Sequence, residues 1–218
     1  MVDNISSILN SYNTKDKNQV RYHFKNLYFI NGSFYFYTIE ENIEIDNILV
    51  IFNNYLNIQV IKVNNKEEIN SILNNTEITT ITEPTGYAYH YYDWNIAHGL
   101  CDTLYPLFLN YLHFFSNPDE NFNMFLKLFV IKGWTFPSNA SRNWLLEVFN
   151  VFCGGKLLLD HGNGSCKNYK FENIFIGNAS GGLQGANMNI NASILGKNNF
   201  TLEKFRDRMY NKYNINYN

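Results

Sequence analysis

Apolar and polar positions change period several times along this chain, and each change predicts an element. Tyr22-His23-Phe24-Lys25-Asn26-Leu27-Tyr28-Phe29-Ile30 is an aromatic, strand-like run. Asn31-Gly32-Ser33 then supplies turn chemistry and Phe34-Tyr35-Phe36-Tyr37 resumes the run, which together predict a hairpin. Ile48 to Phe52 and Ile58 to Val63 read as two further strands around an Asn-rich turn, followed by a short helix through Glu67 to Leu73 and a strand at Ile78 to Ile81. Glu83-Pro84-Thr85-Gly86 breaks the pattern. Ile96, Leu100, Leu104, Leu107, Tyr111 and Phe115 then recur near the helical period, predicting a long helix over 95–115 with Asp93 as its N-cap. Pro106, which lacks a backbone donor, is expected to kink or divide it. Met124 to Ile131 suits a buried strand, Ser138 or Asn139 caps a helix through Phe149, and Gly154-Gly155 ends it. Leu157 to Leu159 and Ile174 to Ile176 read as short buried strands, and Thr201 caps a last charged helix to about Tyr213.

Strands and helices that alternate in this way, with several strands apolar on both faces, predict an α/β body: a partly parallel sheet covered by helices. The organised part spans 20–213, preceded by a polar lead-in over 1–19 that is expected to be loose. With 218 residues the chain can bury a substantial core. A net charge of −2 and a pI near 6.2 give no electrostatic footing for nucleic acid or an anionic membrane. No apolar run approaches the roughly 18 residues of a membrane span, and no basic region followed by an apolar stretch opens the sequence. Asparagine fills about one position in six, several times its usual share, a bias that accords with an AT-rich coding sequence. It also makes the Asn-x-Ser/Thr triplets at Asn31, Asn139, Asn178 and Asn191 common by chance. Cys101, Cys153 and Cys166 are odd in number and lack CxxC spacing, so neither a disulfide framework nor a zinc site is predicted and a reducing, cytoplasmic setting is expected.

Candidate chemistry is densest over Tyr87 to Asp102. On a helix Asn95, His98 and Asp102 share one face near its N-terminal end, and a carboxylate one turn from an imidazole can orient the ring and raise its basicity. The same spacing also suits a local hydrogen bond with no catalytic role. Neither His90 nor His113 completes a set of three metal ligands. Asp160-His161-Gly162-Asn163-Gly164-Ser165-Cys166 reads as an exposed loop, in which Cys166 beside His161 suggests a thiol nucleophile with no third group to orient the base. Gly177 to Gly185 follows a strand and is glycine-rich, but it lacks the spacing of a phosphate-binding loop and reads as a surface loop. Arg206-Asp207-Arg208 reads as a solvated helix face.

Asn95-Ile96-Ala97-His98-Gly99-Leu100-Cys101-Asp102, followed by an apolar run broken at Pro106, resembles the signature of glycosyltransferase family 61, in its protein O-mannose N-acetylglucosaminyltransferase and EGF-domain O-GlcNAc transferase branches. Tyr22-His23-Phe24-Lys25-Asn26-Leu27 is similar to the Cys-Arg-Phe-Lys-Asn-Leu opening of those catalytic regions, with Tyr-His in place of Cys-Arg. Phe171 to Gly177 is similar to a later strand that ends in Gly, and Leu202 to Tyr210 to the Phe-Arg helix ahead of the second domain. The resemblance implies a Rossmann-like N-terminal, acceptor-side domain of a two-domain GT-B enzyme. It implies inverting transfer of N-acetylglucosamine or a pentose from a nucleotide sugar such as UDP-GlcNAc to a hydroxyl of a protein or glycan acceptor, with no metal or cofactor. His98 and Asp102 are then the catalytic pair, and Asn95, Tyr92, Trp94 and Asp93 contact substrate. The donor-binding domain that follows the Phe-Arg helix in the family is absent from this sequence, so a separate donor-binding domain or chain is the implied partner. A non-catalytic binding or scaffold domain of the same fold is the alternative.

Overall fold

The structure, a computed structural model, describes residues 5–12, 20–51, 54–90, 99–115, 117, 119–128, 139–160, 167–177 and 199–216. In chain order the strands are β1 (Ser7–Tyr12), β2 (Arg21–Lys25), β3 (Leu27–Ile30), β4 (Ser33–Thr38), β5 (Ile48–Ile51), β6 (Asn54–Leu56) and β7 (Ile58–Lys62). After α1 (Lys66–Ile72) come β8 (Ile78–Ile81), β9 (Thr85–His90), a π-helical turn (Gly99–Leu104) running into α2 (Tyr105–Phe114), and β10 (Phe122–Leu128). The rest is α3 (Asn139–Cys153), β11 (Gly154–Asp160), β12 (Asn168–Phe171), β13 (Ile174–Ile176) and α4 (Asn199–Lys212).

The strands form two mixed sheets and a small hairpin, so the chain is mixed α/β. Sheet A has the order β1-β2-β13-β9-β10-β11, in which β13, β9, β10 and β11 are parallel and β1 and β2 antiparallel to their neighbours. Sheet B has the order β7-β4-β3-β12-β8. Asn31 and Gly32, at φ 49° and 84°, make the tight turn between β3 and β4, where both central residues need positive φ. β5 pairs with β6, whereas β7 leaves that hairpin and lies parallel to β4.

Three strand pairs pass from one sheet to the other with only a short bend: β2 into β3 at Asn26, β8 into β9 at 82–84, and β12 into β13 at Glu172-Asn173. Strands that switch sheets at bends are how stacked sheets form corners. Backbone hydrogen bonds stitch these bends together: Glu172 N–H to Ile81 O at 2.9 Å, Thr85 N–H to Asn173 O at 2.9 Å, and Asn26 N–H to Glu172 O at 3.4 Å. Asn26 sits at φ 53°, a left-handed conformation that Asn tolerates better than most residues, and this breaks the single strand expected over Tyr22 to Ile30.

Within the lead-in, the described residues 5–12 are fastened at this corner. Ser6 is buried, its hydroxyl donates to Asn26 O at 2.6 Å and accepts from Tyr37 N–H at 3.0 Å, and β1 then pairs along β2. Apolar periodicity gave no sign of this, because the anchoring is polar.

Alternation along each strand sorts the core into layers. Between the sheets lie Phe24, Phe29, Phe34, Phe36, Tyr87, Phe125, Phe171, Ile174 and Ile176. The other face of sheet A, through Ala88, Met124, Leu126 and Phe175, packs against Leu107, Phe108 and Tyr111 of α2, Phe149 and Phe152 of α3, and Phe205 of α4. Tyr28 and Tyr37 on the outer face of sheet B meet Ile69 of α1. Helices therefore cover one face of sheet A, and a second sheet covers the other. That differs from the single helix-covered sheet expected from the alternation, because β3, β4, β7, β8 and β12 divert into a sheet of their own.

Candidate functional site at the carboxyl edge of the parallel strands

Starting from β9, the parallel strands of sheet A run β9, then β10 and β11 on one side, then β13 on the other. In chain order the four lie third-second-first-fourth, and the direction of progression reverses between β9 and β13. In open α/β sheets ligands bind outside the carboxyl ends of the strands at such a reversal. The carboxyl ends here are His90, Leu128, Asp160 and Ile176, with Gly177 next. From them the chain continues into 91–98, 129–138, 161–166 and 178–198, all outside the described residues.

On the helix side of this edge, His90 is buried and its Nδ1 lies 2.8 Å from Thr103 Oγ1 of the π-turn. Phe149 of α3 packs edge-on against the imidazole at 5.3 Å. The ring thus ties the end of β9 to the turn that carries Asp102. Across the reversal, Asn110 of α2 is fully buried and its Nδ2 donates to Gly177 O. Gly177 has φ 131°, and a Cβ there would stand 2.6 Å from Val20 O, so this crossing of β13 over the start of β2 requires glycine. Gly86 in β9 serves a different need: a Cβ would lie 2.6 Å from both Leu107 Cδ1 and Phe175 Cζ, so its absence lets α2 seat directly on the sheet.

Helical structure is present over part of the predicted 95–115 span, in two forms. Gly99–Leu104 is π-helical and Tyr105–Phe114 α-helical, with Pro106 in the first turn of α2. Proline is tolerated there because first-turn N–H groups have no partner within the helix. A π-turn widens the helix locally and is frequent at functional sites.

Of the residues predicted for the site, Tyr92, Asp93, Trp94, Asn95 and His98 lie outside the described residues, and Asp102 is described in its backbone, within the π-turn. His161, Cys166 and 178–185 also lie outside them. Cys153 is a buried thiol pushed up to about 12, first by burial, which makes it inert. No group of three His, Cys, Asp or Glu among the described residues could hold a metal ion. No helix among them is long and apolar enough to cross a membrane.

Two expectations change. Asp160 is the buried last residue of β11, not the start of an exposed loop. Arg206 and Asp207 are exposed as expected, but Arg208 is 1% exposed and donates to the carbonyls of Phe152, Cys153 and Glu120 at 2.9–3.0 Å. His90, Thr103, Asn110, Lys127 and Asp160 were not predicted as site residues. The one available signal was the titratable His90 at the end of the run Tyr87-Ala88-Tyr89-His90, directly after a Pro-Thr-Gly break.

No protein-family model matches this chain, and no curated protein is similar to it in sequence.

Proposed function

We propose that this chain is the acceptor-side domain of a family 61-type glycosyltransferase, Rossmann-like in its parallel half and built to work with a donor-binding domain. The ordered sequence resemblance from Arg21 to Tyr213 raises the reading. The observation that supports it most is the third-second-first-fourth order of β11, β10, β9 and β13, the order found around the switch point of a Rossmann-type sheet. β9 ends at the reversal point of that order, and in sequence it is followed by the segment that carries Asn95 to Asp102. The antiparallel additions and sheet B are departures from a doubly wound sheet. In this reading His98 takes the proton of the acceptor hydroxyl as it attacks the anomeric carbon of a UDP-sugar, UDP departs, and Asp102 orients the imidazole. The four polar and aromatic neighbours Tyr92, Asp93, Trp94 and Asn95 hold the substrates.

Transfer from UDP-GlcNAc and from a UDP-pentose to mannoside and protein acceptors tests this, using the chain joined to a donor-binding half. His98→Ala is expected to lower kcat by roughly two to four orders of magnitude with an unchanged melting temperature. Asp102→Asn costs less, since it keeps shape and loses only charge. Unchanged turnover per folded molecule removes His98 from the mechanism, and absence of transfer in every combination leaves a binding or scaffold domain. Calorimetry on the chain alone is expected to show UDP-GlcNAc binding no tighter than about 1 mM. Micromolar binding would place the donor site in this half.

A further inference from the structure

Sheet B ends at β7, which pairs with β4 alone among the described residues. Phe36 and Val60 are partners across that pair. Phe36 is fully buried in the inter-sheet core, whereas Val60, on the same face, is 36% exposed, so the core runs out at this strand. Gln59 and Lys62 are exposed and Ile61 is half-buried, which leaves the outer side of β7 open to water. An edge strand turns alternate N–H and C=O groups outward, and that row is a template for another strand. Ile58 to Ile61 holds no proline, glycine or charge, the usual means of blunting an edge. The one charge in β7, Lys62, is engaged by Glu41 at 2.5 Å.

Ile39, 49% exposed, follows Thr38, the register partner of Lys62, and extends the apolar margin of this edge. The segment that leaves Ile39 carries charge. Ile43 and Ile45 pack on the core, while Glu40, Glu41, Glu44 and Asp46 are all exposed. Glu41 alone of the four has a cationic partner among the described residues. Residues 39–63 hold these four carboxylates and one ammonium, a net −3 against −2 for the whole chain. An apolar edge set in such a field selects its occupant. The strand that pairs with it needs apolar side chains for Val60 and Ile61 and cations for the carboxylates. An acidic strand is repelled, and a second copy of this edge would bring a further net −3 to it. We propose that β7 is a docking edge for an extended, basic segment of a partner protein, added to sheet B as a sixth strand. Main-chain hydrogen bonds hold such a strand, its apolar side chains cover Val60 and Ile61, and its lysines or arginines meet Glu40 and Glu41. This inference does not rest on the transferase reading, since it concerns sheet B and holds whether or not the chain transfers sugar.

Titrating the chain with an end-capped peptide of alternating lysine and valine, and separately with its glutamate–valine counterpart, tests it by amide chemical shift and hydrogen exchange. The lysine peptide is expected to saturate at or below about 1 mM, with shifts and slowed exchange centred on Gln59, Val60 and Ile61. The glutamate peptide should bind about tenfold more weakly or not at all. Replacing Glu40→Gln together with Glu41→Gln should weaken the lysine peptide about fivefold. Val60→Lys, which puts a charge on the edge, should weaken it about tenfold. Both variants should keep the wild-type melting temperature, because all three side chains are exposed. Absence of saturation by the lysine peptide up to roughly 5 mM, shifts centred away from β7, or equal affinity for the glutamate peptide overturns the proposal. So does full affinity in folded Val60→Lys, or self-association of the chain alone that protects Gln59 to Ile61 from exchange.

Discussion

His23 is the residue whose surroundings make the most direct claim about solution behaviour. It sits on the helix face of β2 between the rings of Phe114 and Phe115, with centroids 5.5 and 5.1 Å away. Burial lowers its pKa below the ordinary 6.5, and a hydrogen bond with Asn173 offsets part of that shift. His113 is lowered from the same value by burial and then by the charge of Arg21. The folded chain thus binds these protons less tightly than the unfolded chain. The linked stability is fully present above pH 6.5 and is lost as pH falls below it toward the folded values. Melting temperature is expected to drop between about pH 6.5 and 5, and His23→Gln to flatten part of that limb; a melting temperature that rises on acidification would contradict the assignment. None of this was legible from the sequence, where His23 stands only as a polar interruption in an aromatic run. The same holds for Asp160 and Lys127: 33 positions separate them, and the parallel register of β10 and β11 alone makes them neighbours.

Elements whose signal is local were legible. The Asn31-Gly32 turn and the end of α3 at Gly154 both follow from residue types that act on their own backbone. Elements defined by what they pack against were not. β9 is buried on both faces, so its residues do not alternate in polarity, and β12 carries Lys170 in a buried position. α4 shows the same divide. Its boundaries were nearly read, although Thr201 lies inside the helix and not at its cap, but its attachment was missed, because a buried arginine looks like a surface one in sequence. Arg208 spans α4 to the last carbonyls of α3 and is ringed by Phe108, Phe122 and Phe152 at 5.0–5.8 Å. Arg208→Leu would leave the Phe152, Cys153 and Glu120 carbonyls without this donor. At about 1–3 kcal/mol for each stranded group, a total loss of about 3 kcal/mol or more is expected in a denaturant titration. Arg206→Leu, on the exposed face, should shift the midpoint little; equal effects of the two would mean that α4 is held by its apolar face alone.

At the scale of the whole molecule, the decisive feature is that the sheets share strands as well as a core. A sheet that merely rests on another can detach from it, whereas β2–β3, β8–β9 and β12–β13 each carry the chain through both. Sequence periodicity cannot reveal this, since a strand that bends between sheets and two strands joined by a turn have the same pattern. The bends join at Asn26, Ile81, Thr85 and Glu172, so opening one sheet pulls on hydrogen bonds of the other. Phe125 lies at the centre of the shared core. It belongs to β10 of sheet A and is fully buried, and its ring lies 4.8 Å from Phe29, 5.6 Å from Tyr169 and 5.3 Å from Phe171, all in sheet B. Phe125→Ala removes a large side chain from a site walled by other rings that cannot easily close the gap, so a loss of about 3–5 kcal/mol is expected. The distribution of that loss is the informative measurement. In a single cooperative unit, native-state hydrogen exchange should show protection falling by the same free energy at Phe24 and Leu126 in sheet A and at Phe29 and Phe36 in sheet B. Protection that falls in sheet A while sheet B keeps its wild-type values would show two separable units, and the bent strands would then be hinges and not struts.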